Sequence, residues 1–319
     1  MPTVSVQIVT YNSEKDIKTC LDSVHSQSHQ IQQVIIIDNK STDKTLQIVG
    51  SFNNIHIIKN DLNNGFSGGH NQGIQNSKSD YVLVLNPDVR LGKEYIKNII
   101  HKMEQNTGIG MATGKLFRDV DKKILDSTGI IMKKNRRAFD RGSGEIDKKQ
   151  YDEDKKIFGV SGAAAIYRRE MIEDLSYEEQ FFDETFFAYK EDVDVSWRAL
   201  LLGWESIYVS EAIAVHGRGW QEEIKRSEIP MNIRQKSYIN RYYCLLKNDH
   251  LISFILHFPI ILIYEISSNI YALLKERELL TIWKSFKVEF KPMLKKRKAI
   301  MRKRRLTNNQ IYSYFRGIW

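Results

Sequence analysis

The sequence predicts an α/β fold whose sheet is mostly parallel and carries helices on both faces, followed by a helical C-terminal region. Over roughly the first hundred residues, short β-branched runs alternate with segments of helical spacing. A βαβα order of this kind favours parallel strands joined by helices. Beyond about Ile233 the segments become helical and basic. We therefore predict two parts, residues 1–232 as the α/β domain and residues 233–319 as a helical, basic region.

The early elements follow from hydrophobic spacing and turn residues. Ser13 is a good N-cap for a first helix, because apolar residues recur at helical spacing after it. Ser41 or Thr42 can cap a second helix in the same way. The expected strands of this half are residues 4–10, 34–38, 55–58 and 81–86.

The later elements are less regular. Residues 110–151 contain polar and glycine-rich stretches such as RGSGEID, which predict loops or a flap. Further expected elements are a strand pair within residues 157–168, a helix at 193–202 and a strand at 204–209.

The most apolar stretch of the chain is residues 251–264. As a helix it would span roughly 21 Å, which is short of the roughly 30 Å hydrocarbon core of a bilayer. His257 and Pro259 interrupt it. We therefore predict a core or interfacial helix, or part of a dimer interface, and no membrane span.

The charge is uneven along the chain. The 319 residues carry a formal net charge of +9, and the basic excess is concentrated between Lys284 and Arg305, where Glu289 is the one acidic residue. A basic segment of this kind predicts a phosphate-bearing partner, either an anionic membrane surface or a nucleic acid. The two cysteines, Cys20 and Cys244, suggest no disulfide framework, and the N-terminus has no leader pattern. A cytoplasmic location is the simplest prediction.

Polar residues follow the first two strands where each strand ends. Thr10, Tyr11 and Asn12 follow the first strand, and Asp38 and Asn39 follow the second. Ligands of open parallel sheets bind at the carboxyl ends of the strands, so these residues are candidate substrate contacts. The alternative is that Asp38 and Asn39 are ordinary turn residues.

The glycine-rich segment NGFSGGHNQG, residues 64–73, lies between a strand and a short helix. Gly68 and Gly69 can let the backbone approach a ligand, and the start of the helix can offer N–H groups to an anion. Its spacing matches neither the dinucleotide fingerprint nor the P-loop. Gly69 and Asn71 are therefore candidate substrate contacts, although many such turns bind nothing.

Two later segments carry acidic residues suited to metal binding and acid–base chemistry. Asn86 and Asp88 end the fourth strand, where an aspartate suits Mg²⁺ or Mn²⁺ beside a phosphate and Asn86 is a candidate substrate contact. A type I turn is the alternative. Residues 186–204 hold three carboxylates among aromatic residues. The carboxylates form either a general-base site or simple helix caps. These carboxylates are Glu191, Asp192 and Asp194, and the aromatic residue that we single out as a substrate contact is Trp197. His216 is either a metal or phosphate contact or a structural histidine.

Six segments resemble those of family 2 glycosyltransferases, and especially of the rhamnosyltransferase-like subgroup. They are VTYN at 9–12, IDNKSTD at 37–43, NGFSGGHNQG at 64–73, LNPDV at 85–89, SGAAAIYRR at 161–169 and EDVDVSWR at 191–198. The resemblance covers about residues 3–220. It implies that residues 1–232 form a GT-A domain that binds a nucleotide sugar and carries the catalytic site.

The resemblance also implies roles for individual residues. Asp88 would bind the divalent metal and the diphosphate, and His216 would complete that site. Asp192 would be the general base, with Glu191 placing the acceptor or the sugar. The usual aspartate-any-aspartate motif begins here with Asn86, which leaves a single carboxylate for the metal. The residues that would contact the base and ribose are Thr10, Tyr11 and Asp38.

The resulting prediction is a metal-dependent, inverting transfer of L-rhamnose from dTDP-rhamnose to a saccharide hydroxyl, in the assembly of a cell-surface or cell-wall polysaccharide. Another hexose from a UDP-sugar, such as galactofuranose or glucose, is the alternative. The basic tail suits peripheral attachment to the inner face of the cell membrane, where a polyprenyl-linked saccharide is a natural acceptor. Two other classes are a nucleic-acid-binding protein, for which no motif is present, and a glycoside hydrolase, which leaves the glycine-rich segment unexplained. We expect no nucleic-acid partner.

Overall fold

The computed structural model describes residues 1–217 and 229–318. The strands are β1 (Val4–Thr10), β2 (Ile31–Asp38), β3 (Ile55–Lys59), β4 (Tyr81–Leu85), β5 (Val89–Leu91), β6 (Ile109–Phe117), β7 (Leu125–Ser127), β8 (Ile130–Met132), β9 (Ala138–Asp140), β10 (Lys155–Ile157), β11 (Ala164–Arg168) and β12 (Glu205–His216). The α-helices are α1 (Ile17–His25), α2 (Thr45–Val49), α3 (Gly65–Gln75), α4 (Tyr95–Glu104), α5 (Arg169–Leu175), α6 (Glu191–Leu201), α7 (Met231–Asn248), α8 (Leu251–Lys275), α9 (Trp283–Lys303) and α10 (Asn308–Tyr312).

A ten-stranded mixed sheet organises these elements. Its strand order is β10-β12-β6-β11-β4-β1-β2-β3, with β5 paired to β12 and β7 paired to β6. The pairs β1–β2, β1–β4 and β2–β3 are parallel, whereas β11 runs antiparallel between β4 and β6. The predicted fold, a mostly parallel sheet with helices and a helical C-terminal region, is confirmed.

Strand β6 corrects the prediction of loops over residues 110–151. All nine of its residues are buried, and it lies between β11 and β12 in the sheet. Its glycines made the segment look irregular, yet a β-carbon at Gly114 would lie 1.9 Å from the carbonyl oxygen of Ala212 on β12. Glycine is therefore needed there for close strand packing. Strands β8 and β9 of the same region form a separate two-stranded sheet.

Several predicted details of the local structure are wrong. Helix α1 begins at Ile17, preceded by Asp16 and not by Ser13. Neither predicted residue caps α2, because Lys44 precedes that helix and Ser41 donates hydrogen bonds to Asp38 instead. Strand β10 pairs with β12, whereas β11 pairs with β4 and β6, so the expected strand pair within residues 157–168 does not form.

Two hydrophobic clusters cover the two faces of the sheet, because successive side chains of a strand point to opposite faces. On β4, Leu83 belongs to one cluster and Val84 to the other. The C-terminal helices contribute to the cluster around Val84 through Ile239, Tyr243, Cys244, Met293 and Ile300. The boundary predicted at residue 232 therefore marks a change of composition inside one shared core. The division into a domain of residues 1–232 and a helical region of residues 233–319 stays a prediction.

Helix α8 is longer than predicted. Its 25 residues continue through Pro259, and within the described residues it is the one helix long and apolar enough to cross a membrane. Few of its side chains are buried, whereas Leu256 is 72% exposed and Ile263 is 55% exposed. The predicted alternative of a core helix is therefore wrong, and a large apolar face is left uncovered in the single chain.

Candidate active site

The carboxyl ends of β1 and β2 bring Thr10 and Asp38 together. The Thr10 hydroxyl donates a hydrogen bond to a carboxylate oxygen of Asp38 at 2.9 Å, and the Asn39 N–H donates to the Thr10 carbonyl oxygen at 2.8 Å. Asp38 is buried, whereas Tyr11, just beyond β1, is 55% exposed. The predicted base and ribose contacts therefore lie side by side at one edge of the sheet. Their binding role stays a prediction.

The same residues also fix the loop after β2. Asn12 has a φ of 52°, a left-handed conformation that asparagine tolerates, and its side-chain oxygen accepts a hydrogen bond from the Thr42 N–H at 2.8 Å. The second carboxylate oxygen of Asp38 accepts from the Ser41 N–H at 2.9 Å. The structure thus gives Asn12 a role in positioning this loop. Asp38 shares that role, in agreement with the alternative that it is a turn residue.

The glycine-rich segment forms helix α3, and its side chains serve packing. A β-carbon at Gly69 would lie 2.7 Å from a methyl carbon of Val9, so glycine lets α3 approach β1. Asn71 is 2% exposed; its amide nitrogen donates to the Phe182 carbonyl oxygen and to Glu184, and its amide oxygen accepts from the Phe182 N–H. Both residues therefore position α3. The geometry gives no support to direct substrate contact by either.

The start of α3 is also partly occupied. The Gly65 N–H donates to the side-chain oxygen of Asn63 at 2.9 Å, and the Ser67 N–H donates to the Phe187 carbonyl oxygen at 3.1 Å. The N–H groups expected to be open to an anion are therefore already bonded at these two residues.

Asp88 and His216 meet beyond the end of β4. Strand β12 pairs with β5 so that His216 stands opposite Val89, and the His216 Nε2 atom lies 3.3 Å from a carboxylate oxygen of Asp88. On the other side of the ring, Nδ1 lies 2.8 Å from an oxygen of the buried Asp126. Burial lowers the pKa of His216, but its hydrogen bonds to Asp126 and Asp88 outweigh burial and raise the pKa to about 9. Sequence reasoning missed Asp126, which orients the ring.

These residues fit a divalent cation that is shared with a phosphate ligand. A carboxylate oxygen and an imidazole nitrogen 3.3 Å apart are spaced like neighbouring ligands of a cation with bonds of about 2.1 Å. Asp126 would then hold the second ring nitrogen, as partners of metal-bound histidines commonly do. Within residues 1–217 and 229–318, however, no three His, Cys, Asp or Glu side chains are grouped to hold a metal by themselves. With Asn86 at the turn, the donor diphosphate would have to supply further ligands.

Helix α6 begins with Glu191 and presents Asp192 in its first turn. The Asp192 carboxylate accepts hydrogen bonds from the Val193 N–H at 2.7 Å and the Gly162 N–H at 3.2 Å. Burial raises the pKa of Asp192, and the charge of Asp140 adds to that rise. Burial and the adjacent Asp192 likewise raise the pKa of Glu191. A carboxylate with a raised pKa is better matched to accept a proton near neutral pH.

The third carboxylate of this segment, Asp194, is structural. It is fully buried and accepts hydrogen bonds from Arg198 at 2.9 Å and from Lys247 and Asn248 at 2.8 Å each. These bonds tie α6 to α7. Burial raises the pKa of Asp194, but the charges of Lys247 and Arg198 outweigh burial and lower it.

Trp197 lies in the core and not beside Asp38 or Asp88. It is 1% exposed, and its ring packs edge-on against Phe158 and Phe315. This position favours a packing role, so contact between Trp197 and the donor has no support in the geometry.

Asp88 and Asp192 lie at the same edge of the sheet. Strand β11 runs antiparallel to β4, and the Asn86 N–H donates to the Ala163 carbonyl oxygen at 2.8 Å. Gly162, the residue before Ala163, donates to Asp192, and Asp88 lies two residues beyond Asn86. The predicted metal-binding residue follows β4, and the predicted base contacts the segment before β11, which is the neighbouring strand.

A cavity of about 400 Å³ opens at Asp192. Strand β9 forms one wall of this cavity, and the segment before α6 forms another. Because the two walls are distant in the chain, most of the lining could not be predicted from the sequence. The predicted flap RGSGEID follows β9 directly and was the one local signal of this wall. Besides Asp192, the residues that line this cavity include Phe139, Asp140, Tyr189, Lys190 and Ser237.

The family model of glycosyl transferase family 2 matches residues 5–176. This chain belongs to that family. Family membership confirms the predicted resemblance and leaves the nucleic-acid alternative without support.

The curated relatives are glycosyltransferases at modest identity. The chain is 28% identical to the low-salt glycan biosynthesis hexosyltransferase of Haloferax volcanii, over 61% of this chain and 61% of that protein. It is 26% identical to the N-acetylglucosaminyl-diphospho-decaprenol L-rhamnosyltransferase of Mycobacterium tuberculosis, over 66% of this chain and 75% of that protein. The match with the archaeal relative thus leaves more than a third of that protein uncovered.

Solved structures support the fold. The mannosyltransferase of Pyrobaculum calidifontis, solved with GDP-mannose and Mn²⁺, matches 95% of this chain and 86% of its own length, with a TM-score of 0.55 and 15% identity. Similarity at this level of identity confirms the GT-A fold of the chain. It does not identify the donor or the acceptor of the chain.

Proposed function

We propose that this protein is an inverting glycosyltransferase that moves a hexose from a nucleotide diphosphate donor to a saccharide hydroxyl. One observation carries the proposal: Asp88 and Asp192 flank one edge of the sheet through the Asn86–Ala163 and Gly162–Asp192 hydrogen bonds. A donor diphosphate near Asp88 and an acceptor hydroxyl near Asp192 would then meet at one anomeric carbon. The hexosyl and rhamnosyl transfer named for the relatives supports this reaction class.

In the proposed reaction, Asp192 accepts the proton of the acceptor hydroxyl. The acceptor oxygen attacks the anomeric carbon from the face opposite the nucleotide, the bond from that carbon to the diphosphate oxygen breaks, and the nucleotide diphosphate leaves. A single displacement inverts the configuration at the anomeric carbon. Holding both substrates in one site supplies much of the rate, because the reacting atoms are already oriented. Glu191, next to Asp192, would help to place the acceptor.

Asp88 and His216 would hold the divalent metal, Mg²⁺ or Mn²⁺, with Asp126 fixing the ring of His216. When bound, the metal supplies positive charge beside the leaving diphosphate. Support from other proteins comes from two solved structures of the same fold that were determined with Mn²⁺.

The donor is proposed to be dTDP-L-rhamnose. Support comes from the subgroup resemblance and from relatives named as rhamnosyltransferases in Mycobacterium tuberculosis and Salmonella typhimurium. A UDP-linked hexose such as galactofuranose or glucose remains the alternative donor. The expected product is an intermediate of a cell-surface or cell-wall polysaccharide.

We assign the protein to the inner face of the cell membrane as a peripheral protein. Helix α8 uses its polar side for protein contacts, since Glu265 pairs with Arg241 at 2.7 Å and Asn269 accepts from Tyr238 at 2.7 Å. Its opposite side is apolar and exposed. A helix with this division favours lying in the plane of the membrane surface over crossing it. Helix α9 adds a set of exposed basic residues: Lys284, Lys287, Lys291, Lys295, Lys298, Arg302 and Lys303.

A donor screen tests the proposed function. Release of nucleotide diphosphate is measured for UDP-, dTDP- and GDP-sugars with Mg²⁺ or Mn²⁺, in the presence of saccharide acceptors. We expect the highest kcat/KM for dTDP-rhamnose with a lipid-linked acceptor. Failure of every donor to give sugar transfer above the rate measured without protein would refute the glycosyltransferase proposal.

A further inference from the structure

A second cavity, of about 510 Å³, lies between the β8–β9 sheet, α6, α7 and α8. Its volume is typical of a small-molecule site. Its charged lining residues are Arg136, Arg137, Lys190, Arg234 and Arg241, and no Asp or Glu of the described part of the chain joins them. We call it the arginine cavity.

Three of these five cations are neutralised from outside the arginine cavity. Arg136 forms a two-point contact with Asp249 at 2.8 and 3.3 Å, Arg241 pairs with Glu265, and Arg234 pairs with Glu276 at 3.0 Å. These pairs are structural, because each joins two elements of the C-terminal region or ties that region to the β8–β9 sheet.

The other two cations, Arg137 and Lys190, have no carboxylate partner within the part of the chain that the structure describes. The Arg137 guanidinium lies over the rings of Phe139 and Tyr264, 4.4 and 5.1 Å from their centres. Burial lowers the pKa of Lys190, and the nearby charges of Asp192 and Glu191 act in the opposite direction. The lining therefore presents two positive charges that form no ion pair within the described residues, and Trp197 adds an indole N–H that has no partner there.

The arginine cavity adjoins the cavity at Asp192. Ala138, Lys190 and Val193 line both, so a ligand can extend from one into the other. Lys190 lies two residues before Asp192, a chain distance of at most about 7 Å. An anion at Lys190 is therefore close to a hydroxyl at Asp192.

The opposite wall of the arginine cavity belongs to α8. Tyr264, Ser267, Ser268 and Tyr271 line it at the spacing of one helix face. The same helix exposes Ile255, Ile266 and Leu273 on its other side. An anionic group in the arginine cavity would thus lie between a catalytic carboxylate and an apolar surface.

We propose that the arginine cavity binds the diphosphate of an acceptor in which a short saccharide is joined through diphosphate to a lipid. The two charges of a diphosphate diester match Arg137 and Lys190, and guanidinium groups bind phosphate oxygens in a two-point geometry. The donor diphosphate is a different group, because none of Thr10, Asp38 and Asp88 lines this cavity. Because the diphosphate would lie at Lys190 and the attacking hydroxyl at Asp192, the short distance between these residues favours a short saccharide over a long polymer. A preceding reaction must then transfer a sugar phosphate from a nucleotide diphosphate sugar to a lipid phosphate, with release of the nucleoside monophosphate.

This inference rests on the proposed function, and its test separates the two. Binding of farnesyl diphosphate and of farnesol is measured by tryptophan fluorescence, with Trp197→Phe to identify the signal. Arg137→Gln and Lys190→Gln should each weaken binding of farnesyl diphosphate by at least about tenfold, the loss expected for one charge-assisted hydrogen bond. Lys134→Gln, which removes a charge from the same loop outside the cavity lining, should leave it unchanged. Equal binding by the wild type and by the Arg137→Gln, Lys190→Gln double variant would overturn the proposal.

Kinetics supply the second arm. The acceptors are a monosaccharide linked through diphosphate to a farnesyl chain and the same monosaccharide as a neutral farnesyl glycoside. Arg137→Gln should raise KM for the diphosphate acceptor by about tenfold or more, with kcat, the donor KM and the neutral acceptor unaffected. An equal rise in KM for both acceptors would overturn the assignment. It would also be overturned if phosphatidylglycerol vesicles competed with the acceptor as well as farnesyl diphosphate does. Absence of transfer with every donor, while binding keeps its dependence on Arg137, would refute the glycosyltransferase and leave the diphosphate site standing.

Discussion

Replacing Asp192 with asparagine removes the proposed base while keeping the shape of the side chain. We expect transfer to fall by about 10²- to 10⁴-fold, the usual contribution of a general base, which corresponds to about 3–5 kcal/mol. The fold should survive, because the carboxamide oxygen can keep the 2.7 Å bond to the Val193 N–H and loses only the 3.2 Å bond to Gly162. That loss costs about 1 kcal/mol. Removal of a buried charge beside Glu191 offsets part of it.

The assay measures nucleotide release at saturating donor and acceptor, and calorimetry on the same preparation gives the Kd of the donor. We expect an unchanged donor Kd and a Tm within about 4 °C of the wild type. If folded Asp192→Asn protein with normal donor affinity transferred sugar within about threefold of the wild-type rate, Asp192 would not be the base.

Four other perturbations test separate parts of the structure. Asp194→Asn is the control for Asp192→Asn, because it makes the same change in the same helix. It weakens the buried hydrogen-bond acceptor of Lys247 and should lower the free energy of unfolding, measured in urea, by about 3–5 kcal/mol. An unchanged urea midpoint would contradict the structural role of Asp194. Asp88→Ala should weaken donor binding about tenfold or more with Mn²⁺ present and change it little in EDTA, as measured by calorimetry; equal loss in both conditions would argue against a metal at Asp88. The pKa of Glu191 is raised from 4.5 to about 8, so the folded chain keeps a proton that the unfolded chain releases, and this group's contribution to stability is lost as the pH rises between those values. Glu191→Gln should remove that loss in Tm measurements, and parallel Tm–pH curves would contradict it. Ile263→Glu should reduce flotation with anionic liposomes without changing transfer to a soluble acceptor, and undiminished flotation would count against α8 as the membrane contact.

Residues at strand ends were the easiest part of the site to locate from the sequence. Thr10 and Asp38 each close an apolar run, and parallel pairing brings the ends of such runs to one edge of the sheet. Asp88 was located for the same reason, since it lies three residues beyond the end of β4. The information needed for these predictions is local to each strand.

Contacts between segments that are distant in the chain could not be predicted, because no local sequence pattern indicates them. Asp126 is 90 residues from His216 in the chain, yet it fixes the histidine ring. Asp140 lies on β9 and Arg137 directly before it, in a region whose polar and glycine-rich composition predicted loops and whose strands have only three residues each. Gly69 illustrates a different ambiguity, because a glycine that admits a neighbouring strand looks the same in sequence as one that admits a ligand.

The C-terminal helices contribute to the core, and this limits how chimeras can be built to change the acceptor of the protein. Tyr243 of α7 packs against Phe186, and Lys247 neutralises both Asp183 and Asp194. A chimera that imported α7–α9 from a relative would replace two walls of the arginine cavity and part of the hydrophobic core at the same time. Grafts that also carry residues 181–201 from the same parent should fold, whereas grafts of the helices alone should be insoluble.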